Sequence, residues 1–232
     1  MYTDRFAEYG VRGLKNIILL TGHYGCGKTN LAVNLALDLR MAGEPVTIID
    51  LDVVNPYFRT ADFSGLLEEK GIRAILPGYA NSLVDVPALP REVSAALTGE
   101  GRVIADVGGD DAGASVIGRY SGDIEKAGGA DLLYLFSIYR PGTGTPADVR
   151  KHIESIEAVS RQRVSYLVNS SNLGTDTVFE DVQRSFEFSR ELEALSGIPL
   201  LMTVALGEFA GRIEGAYAVK RYVRLPWEPR EV

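Results

Sequence analysis

The sequence predicts an α/β fold, a mostly parallel, doubly wound sheet arranged in three layers. Short β-rich apolar runs alternate with longer segments of helical period, the pattern of βαβ units. Several of these runs, such as Ile17-Ile18-Leu19-Leu20 and Leu132-Leu133-Tyr134-Leu135-Phe136, lack the polar alternation of a half-exposed strand. Strands covered by helices on both faces read this way. Length and composition agree: 232 residues, 46% hydrophobic and 24% charged, suffice for a packed core. With no internal repeat, low-complexity tract or long flexible linker, residues 1–232 read as a single domain.

Taken in order, the expected strands are 16–21, 46–50, 73–76, 102–107, 132–137, 164–169 and 200–204. Between them the helical segments are 29–41, 61–69, 90–97, 146–160 and 178–195. Gly43, Gly71 and Gly197 stop three of these helices, and Pro90 and Pro146 open two, the usual asymmetry of helix ends. The tail from Tyr217 to Trp227 carries Lys220, Arg221 and Arg224 among aromatic residues. It resembles a short membrane-binding tail but lacks a sustained amphipathic face, so a packed C-terminal helix and strap is expected.

Charge and cysteine usage bound the function. Lys+Arg 24 against Asp+Glu 31 gives a net charge of -7, which argues against broad nucleic-acid or anionic-lipid binding. Cys26 is the sole cysteine, so one chain forms no internal disulfide and offers no cysteine-based zinc or iron–sulfur site. That usage fits a reducing cytoplasm. Residues 1–13 have no apolar core of a signal peptide, and no run approaches the roughly 18 apolar residues that cross a bilayer. No transmembrane segment is expected.

The sharpest motif is Gly22-His23-Tyr24-Gly25-Cys26-Gly27-Lys28-Thr29, which satisfies G-x-x-x-x-G-K-[ST] between an apolar strand and an amphipathic helix. A triphosphate needs several donors converging at close range. Glycines let the backbone curl so that successive N–H groups gather on an anion, and the helix N-terminus adds partial positive charge. Lys28 then meets the β- and γ-phosphates, and the Thr29 hydroxyl meets Mg²⁺. The nucleotide-binding set therefore runs through Gly22, His23, Tyr24, Gly25, Cys26, Gly27, Lys28, Thr29 and Asn30. Cys26 is either a small filler or a thiolate favoured by the helix terminus.

A bound Mg²⁺ also needs a carboxylate at a neighbouring strand end. Two candidates are present, Ile48-Ile49-Asp50-Leu51-Asp52 and Val103-Ile104-Ala105-Asp106-Val107-Gly108-Gly109. Asp106 with Gly109 forms D-x-x-G, which suits a Walker B acid followed by a glycine able to turn its N–H to a γ-phosphate. Asp50 either supports Mg²⁺ or closes its strand.

This sequence of motifs resembles the MinD/ParA group of P-loop ATPases, the deviant Walker A or SIMIBI branch that includes the nitrogenase iron protein and cobyrinic acid synthase-like proteins. The likeness extends from Lys15 to about Leu206, with sharp motifs in the first hundred residues. It implies a P-loop NTPase fold and a catalytic set of Lys28, Asp52 and Asp106. Asp52 would orient the water that attacks the γ-phosphate, Thr29, Asp52 and Asp106 would serve the metal, 55–60 would be a first switch and 106–113 a second. One departure is plain. The group's K-G-G-x-G-K-[ST] lysine, which reaches a partner subunit's phosphates, is replaced by His23, with Tyr24 where glycine is usual. Protonated His23, Arg59 or Arg119 are the candidates to replace its charge.

The run Asn169-Ser170-Ser171-Asn172 stands where guanine-reading P-loop proteins carry N-K-x-D, with Asn172 in place of the acid. Asn169 resembles the group's base-contacting asparagine, or else shapes a turn. ATP with Mg²⁺ is the expected cofactor pair. The loop from Arg140 to Pro146 either closes over nucleotide, touches a partner or simply connects. The expected function is a Mg²⁺-dependent ATPase that switches a homodimer or an unidentified protein partner. Two alternatives stand: a phosphotransferase or ATP-dependent ligase, whose acceptor pocket is not locatable in 78–90, and a nucleotide-gated binding module with little turnover.

Overall fold

Alternate residues of the first apolar run face opposite ways, Ile18 and Leu20 into one core and Ile17 and Leu19 into the other, so the strand is packed on both sides. The computed structural model describes residues 13–52, 60–76 and 91–223. Their strands form one sheet in the order β3-β2-β4-β1-β5-β6-β7-β8, every neighbouring pair parallel. The strands are β1 (Ile17–Gly22), β2 (Val46–Leu51), β3 (Arg73–Ile75), β4 (Arg102–Val107), β5 (Ala130–Phe136), β6 (Val164–Asn169), β7 (Leu200–Leu206) and β8 (Ala216–Val219).

Among the described residues the helices are α1 (Lys28–Met41), α2 (Ser64–Glu69), α3 (Glu92–Leu97), α4 (Asp111–Gly118), α5 (Ser121–Lys126), α6 (Pro146–Ser160), α7 (Phe179–Ser196) and α8 (Gly207–Ala210). Leu31, Leu35 and Leu39 of α1 join one core, while Ala114 of α4, Ile124 of α5, Ile153 of α6 and Leu192 of α7 join the other. Helix starts are fixed locally. Thr145 caps α6 by accepting from the Asp148 N–H at 3.2 Å with Pro146 in the first turn, and Asp110 caps α4 by accepting from the Gly113 N–H at 2.7 Å.

The seven expected strands are present with boundaries moved by two residues or fewer. Two features differ. Residues 216–219, expected in a C-terminal helix and strap, are an eighth parallel strand, registered from Thr203↔Ala216 to Leu206↔Val219. The Tyr217 hydroxyl anchors it to Asp38 of α1. Helices α4 and α5 fill a stretch expected as a switch and loop. Residues 55–59, with Arg59, the 78–90 stretch, and Arg224 and Trp227 lie outside the described residues.

The strand order places the site. From β1 the chain moves outward to β2 and β3, returns to insert β4, then crosses β1 to continue with β5 on its other side. The carboxyl end of β1 is therefore where the winding reverses, the position at which such sheets open a crevice for ligands.

Candidate functional site

Gly22 ends β1 with φ 139°, and a Cβ there would stand 2.1 Å from the Leu135 carbonyl oxygen of β5. Only glycine turns this corner while β1 stays hydrogen-bonded to its neighbour. The loop then enters α1 at Lys28, and the Cys26 N–H donates to the His23 carbonyl at 3.2 Å. The first N–H groups of α1 have no partners within the helix, so the loop and helix terminus form a cradle for an anion.

Lys28 lies in that cradle, 7% exposed, its ammonium donating to the Gly22 carbonyl at 2.9 Å and the His23 carbonyl at 3.4 Å. Gly109 approaches from the end of β4: a Cβ on it would stand 2.0 Å from the Gly22 oxygen and 3.0 Å from the Lys28 Nζ. The D-x-x-G glycine is thus pressed against both the phosphate loop and its lysine.

Thr29 and Asp106, seventy-seven residues apart, meet because β4 pairs with β1. The Thr29 hydroxyl donates to Asp106 Oδ2 at 2.5 Å, and the Thr60 hydroxyl donates to the same oxygen at 3.4 Å. Asp106 Oδ1 is buried with no hydrogen-bond partner. Burial pushes the carboxyl up to about 6 and the nearby Asp52 charge adds to this, against the lowering by Thr29, Lys28 and Thr60. A buried carboxylate oxygen without a partner, beside a hydroxyl, is a donor set suited to a hard divalent cation such as Mg²⁺. The register Asp50↔Asp106 sets the two strand-end acids side by side. Asp50 Oδ1 accepts the Asp52 N–H at 3.0 Å and so orders the turn that carries Asp52. Asp52 Oδ1 lies 3.3 Å from the Cβ position of Gly108, just past the end of β4.

Several predicted residues are placed otherwise. The Asn30 side chain turns away from the cradle: its oxygen accepts the N–H groups of Tyr222 at 2.8 Å and Val223 at 3.2 Å, and its amide donates to the Lys220 carbonyl at 3.2 Å. Asn169 is fully buried, donating to the Ser185 hydroxyl at 2.7 Å and accepting the Ser171 N–H at 3.1 Å, so in this conformation it shapes the turn after β6 rather than facing a base. Asn172 likewise bonds within its own turn, to the Ser170 carbonyl and the Gly174 N–H. Cys26 is buried, and burial raises its thiol while Lys28 and Arg140 lower it. Arg119 is exposed just beyond the far end of α4. Tyr24, 56% exposed, projects from the loop.

His23 packs edge-on against His152 of α6, ring centroids 5.8 Å apart, and Tyr134 Oη lies 2.5 Å from His152 Nδ1. Burial, then the His23 charge, lower the His152 pKa. Both histidines of the chain thus meet beside the phosphate loop. His152, Tyr134, Ser170, whose hydroxyl is 3.2 Å from the Cβ position of Gly27, and Arg140 all border the site; Ser170 and Arg140 fall in runs the sequence singled out, His152 and Tyr134 do not.

No family model matches the chain. It is 33% identical over 104 residues to the cytosolic Fe-S cluster assembly factor cfd1 of Emericella nidulans, 44% of this chain and 29% of that protein. It is 46% identical over 52 residues to the iron-sulfur cluster carrier protein of Escherichia coli, 22% of this chain and 14% of that one. The chain thus spans less than a third of the length of these curated relatives. Among solved structures it resembles FtsY from Mycoplasma mycoides, with a TM-score of 0.54 and 18% identity over 80% of this chain and 58% of FtsY, a likeness of fold. Among the described residues no helix is long and apolar enough to cross a membrane. With a phosphate loop after the first strand and an acid and glycine closing β4 beside it, the chain is built as a P-loop NTPase, and these likenesses support the SIMIBI class.

Proposed function

We propose that this chain binds ATP with Mg²⁺ and hydrolyses the γ-phosphate, using the change of nucleotide to switch its association with a partner protein or a second copy of itself in the cytoplasm. The observation that carries the reading is the contact of Thr29 with Asp106 at 2.5 Å, beside a lysine that touches Gly22 and lies against Gly109. Phosphate loop, metal acid and γ-phosphate sensor are then one connected unit.

Mg²⁺, held by Thr29 and Asp106, would neutralise charge on the phosphates. Lys28 and the loop amides hold the β- and γ-phosphates, and Asp52 positions the attacking water. The water oxygen bonds to the γ-phosphorus as the bond to the bridging oxygen breaks. That bond's electron pair stays on the β-phosphate, and the water proton leaves with inorganic phosphate or solvent. Adenine is favoured over guanine because the position of the guanine-reading acid is Asn172, whose amide serves its own turn. The names of the curated relatives refer to iron–sulfur clusters. Within these residues Cys26 is the sole cysteine and is buried, so the likeness is carried here to the nucleotide site and not to cluster binding.

Phosphate release from ATP and GTP with Mg²⁺, with mass in solution measured with and without a non-hydrolysable analogue, tests the reading. ATP turnover that is lost in both Lys28→Ala and Asp52→Asn supports it. Tight ATP binding without turnover, unchanged by Asp52→Asn, would instead favour a gated binding module or a transferase awaiting its acceptor.

A further inference from the structure

We infer that Arg140 supplies in cis the positive charge of the lysine that His23 replaces, contacting the γ-phosphate side of the bound nucleotide across Gly25. This rests on the ATPase reading above. Arg140 lies in the loop between β5 and α6, and its guanidinium lies over the crest of the phosphate loop. Nε, Cζ and Cδ are 3.3, 3.4 and 3.6 Å from the position a Cβ would take on Gly25. A side chain at position 25 would displace it. The glycine therefore serves the arginine's approach as well as the curl of the loop.

Arg140 Nε is buried without a hydrogen-bond partner, and no ion pair to Arg140 exists among the described residues. A buried guanidinium N–H with no acceptor is costly to the fold, and an arriving phosphate oxygen would remove that cost. The same guanidinium acts electrostatically on Cys26, three residues before Thr29. Among the described residues it is the one arginine found at the loop, Arg119 being exposed beyond the end of α4.

The loop is built to hold it there. The Thr143 hydroxyl, fully buried, donates to the Ser137 carbonyl at 2.8 Å and stands 2.9 Å from that of Arg140. Ser171 accepts the Ile138 N–H at 3.2 Å, and the Tyr139 hydroxyl donates to the Asp181 carbonyl at 2.9 Å. His23, whose Nε2 lies 3.2 Å from the Cβ position of Gly142, closes against the same loop. A cation fixed before the substrate arrives needs little reorganisation as charge builds on the bridging and γ-oxygens when the phosphorus–oxygen bond breaks. No partner subunit has to deliver it.

The test compares wild type with Arg140→Gln, Arg140→Ala and Arg140→Lys by phosphate release, by calorimetric binding of ATP and ADP, and by thermal melting. Arg140→Gln is expected to lower kcat by about a hundredfold, as loss of one fixed donor to a developing oxyanion does, while ADP affinity changes by less than about threefold. Added guanidinium should restore part of the activity of Arg140→Ala, which a purely structural role would not allow. Arg140→Lys, which keeps the stem packed on Gly25, should fall between and serves if the shorter variants do not fold. Unchanged kcat in a folded Arg140→Gln, or equal losses of ATP and ADP affinity with kcat intact, overturns the assignment. Wild type without turnover, indistinguishable from Lys28→Ala, overturns the ATPase reading and the assignment with it.

Discussion

Replacing the central acid should make the nucleotide-free protein more stable. Asp106 is 1% exposed, with Oδ1 unpartnered and its carboxyl displaced from the ordinary 3.8 to about 6. Its raised pKa means the folded state favours the proton. The contribution to stability is fully present below about 3.8 and is lost as pH rises through about 6. Above that the ionised group opposes folding by about 2–3 kcal/mol at 1.36 kcal/mol per pH unit. Asp106→Asn keeps an oxygen for the Thr29 and Thr60 hydroxyls and removes the charge. Its melting temperature should therefore exceed wild type by about 4–12 °C at pH 7.5, given 2–4 °C per kcal/mol for a chain of this size, and match it near pH 4. Scanning calorimetry without nucleotide, at both pH values, reads this directly. A variant less stable than wild type at pH 7.5, or an equal gain at both pH values, refutes the argument that a buried, uncompensated carboxylate awaits a cation.

Two further outcomes follow from contacts around the same site. Gly109→Ala would bring a Cβ to 2.0 Å from the Gly22 oxygen, a backbone atom, so the segment after β4 must move off the loop. Phosphate release should fall by at least about tenfold as the γ-phosphate donor is misplaced, measured at saturating ATP. Asn30→Ala leaves the Tyr222 and Val223 N–H groups without their acceptor and should cost about 1–2 kcal/mol by urea unfolding, with faster hydrogen exchange at 220–223.

What the sequence made legible were features written in contiguous residues. The apolar runs placed seven strands, and the phosphate loop with Asp106 and Gly109 fell at strand ends because those motifs carry their own context. Helix α4 was not legible: Gly113 and Gly118 lower its intrinsic propensity, and it is held instead by the Asp110 cap and by packing of Gly118 against the Val159 carbonyl, 2.7 Å from its Cβ position. Strand β8 has four residues and takes its register from β7, so its pattern is too short to distinguish from a strap. Asn30 and Asn169 sat where a nucleotide contact was expected, yet distant backbone and hydroxyl groups compete for their amides. Arg140 reaches Gly25 only because β5 lies next to β1, a pairing no local window contains.

The most direct measurement is calorimetric titration of ATP into the wild-type chain with Mg²⁺ and with a chelator, repeated on Asp106→Asn. The account predicts that Mg²⁺ tightens binding to wild type by at least about tenfold, 1.4 kcal/mol, and has no such effect on the variant. Affinity for ATP that ignores Mg²⁺ in wild type, or a metal effect that survives the loss of the Asp106 carboxylate, would contradict a metal–phosphate site built on Thr29 and Asp106.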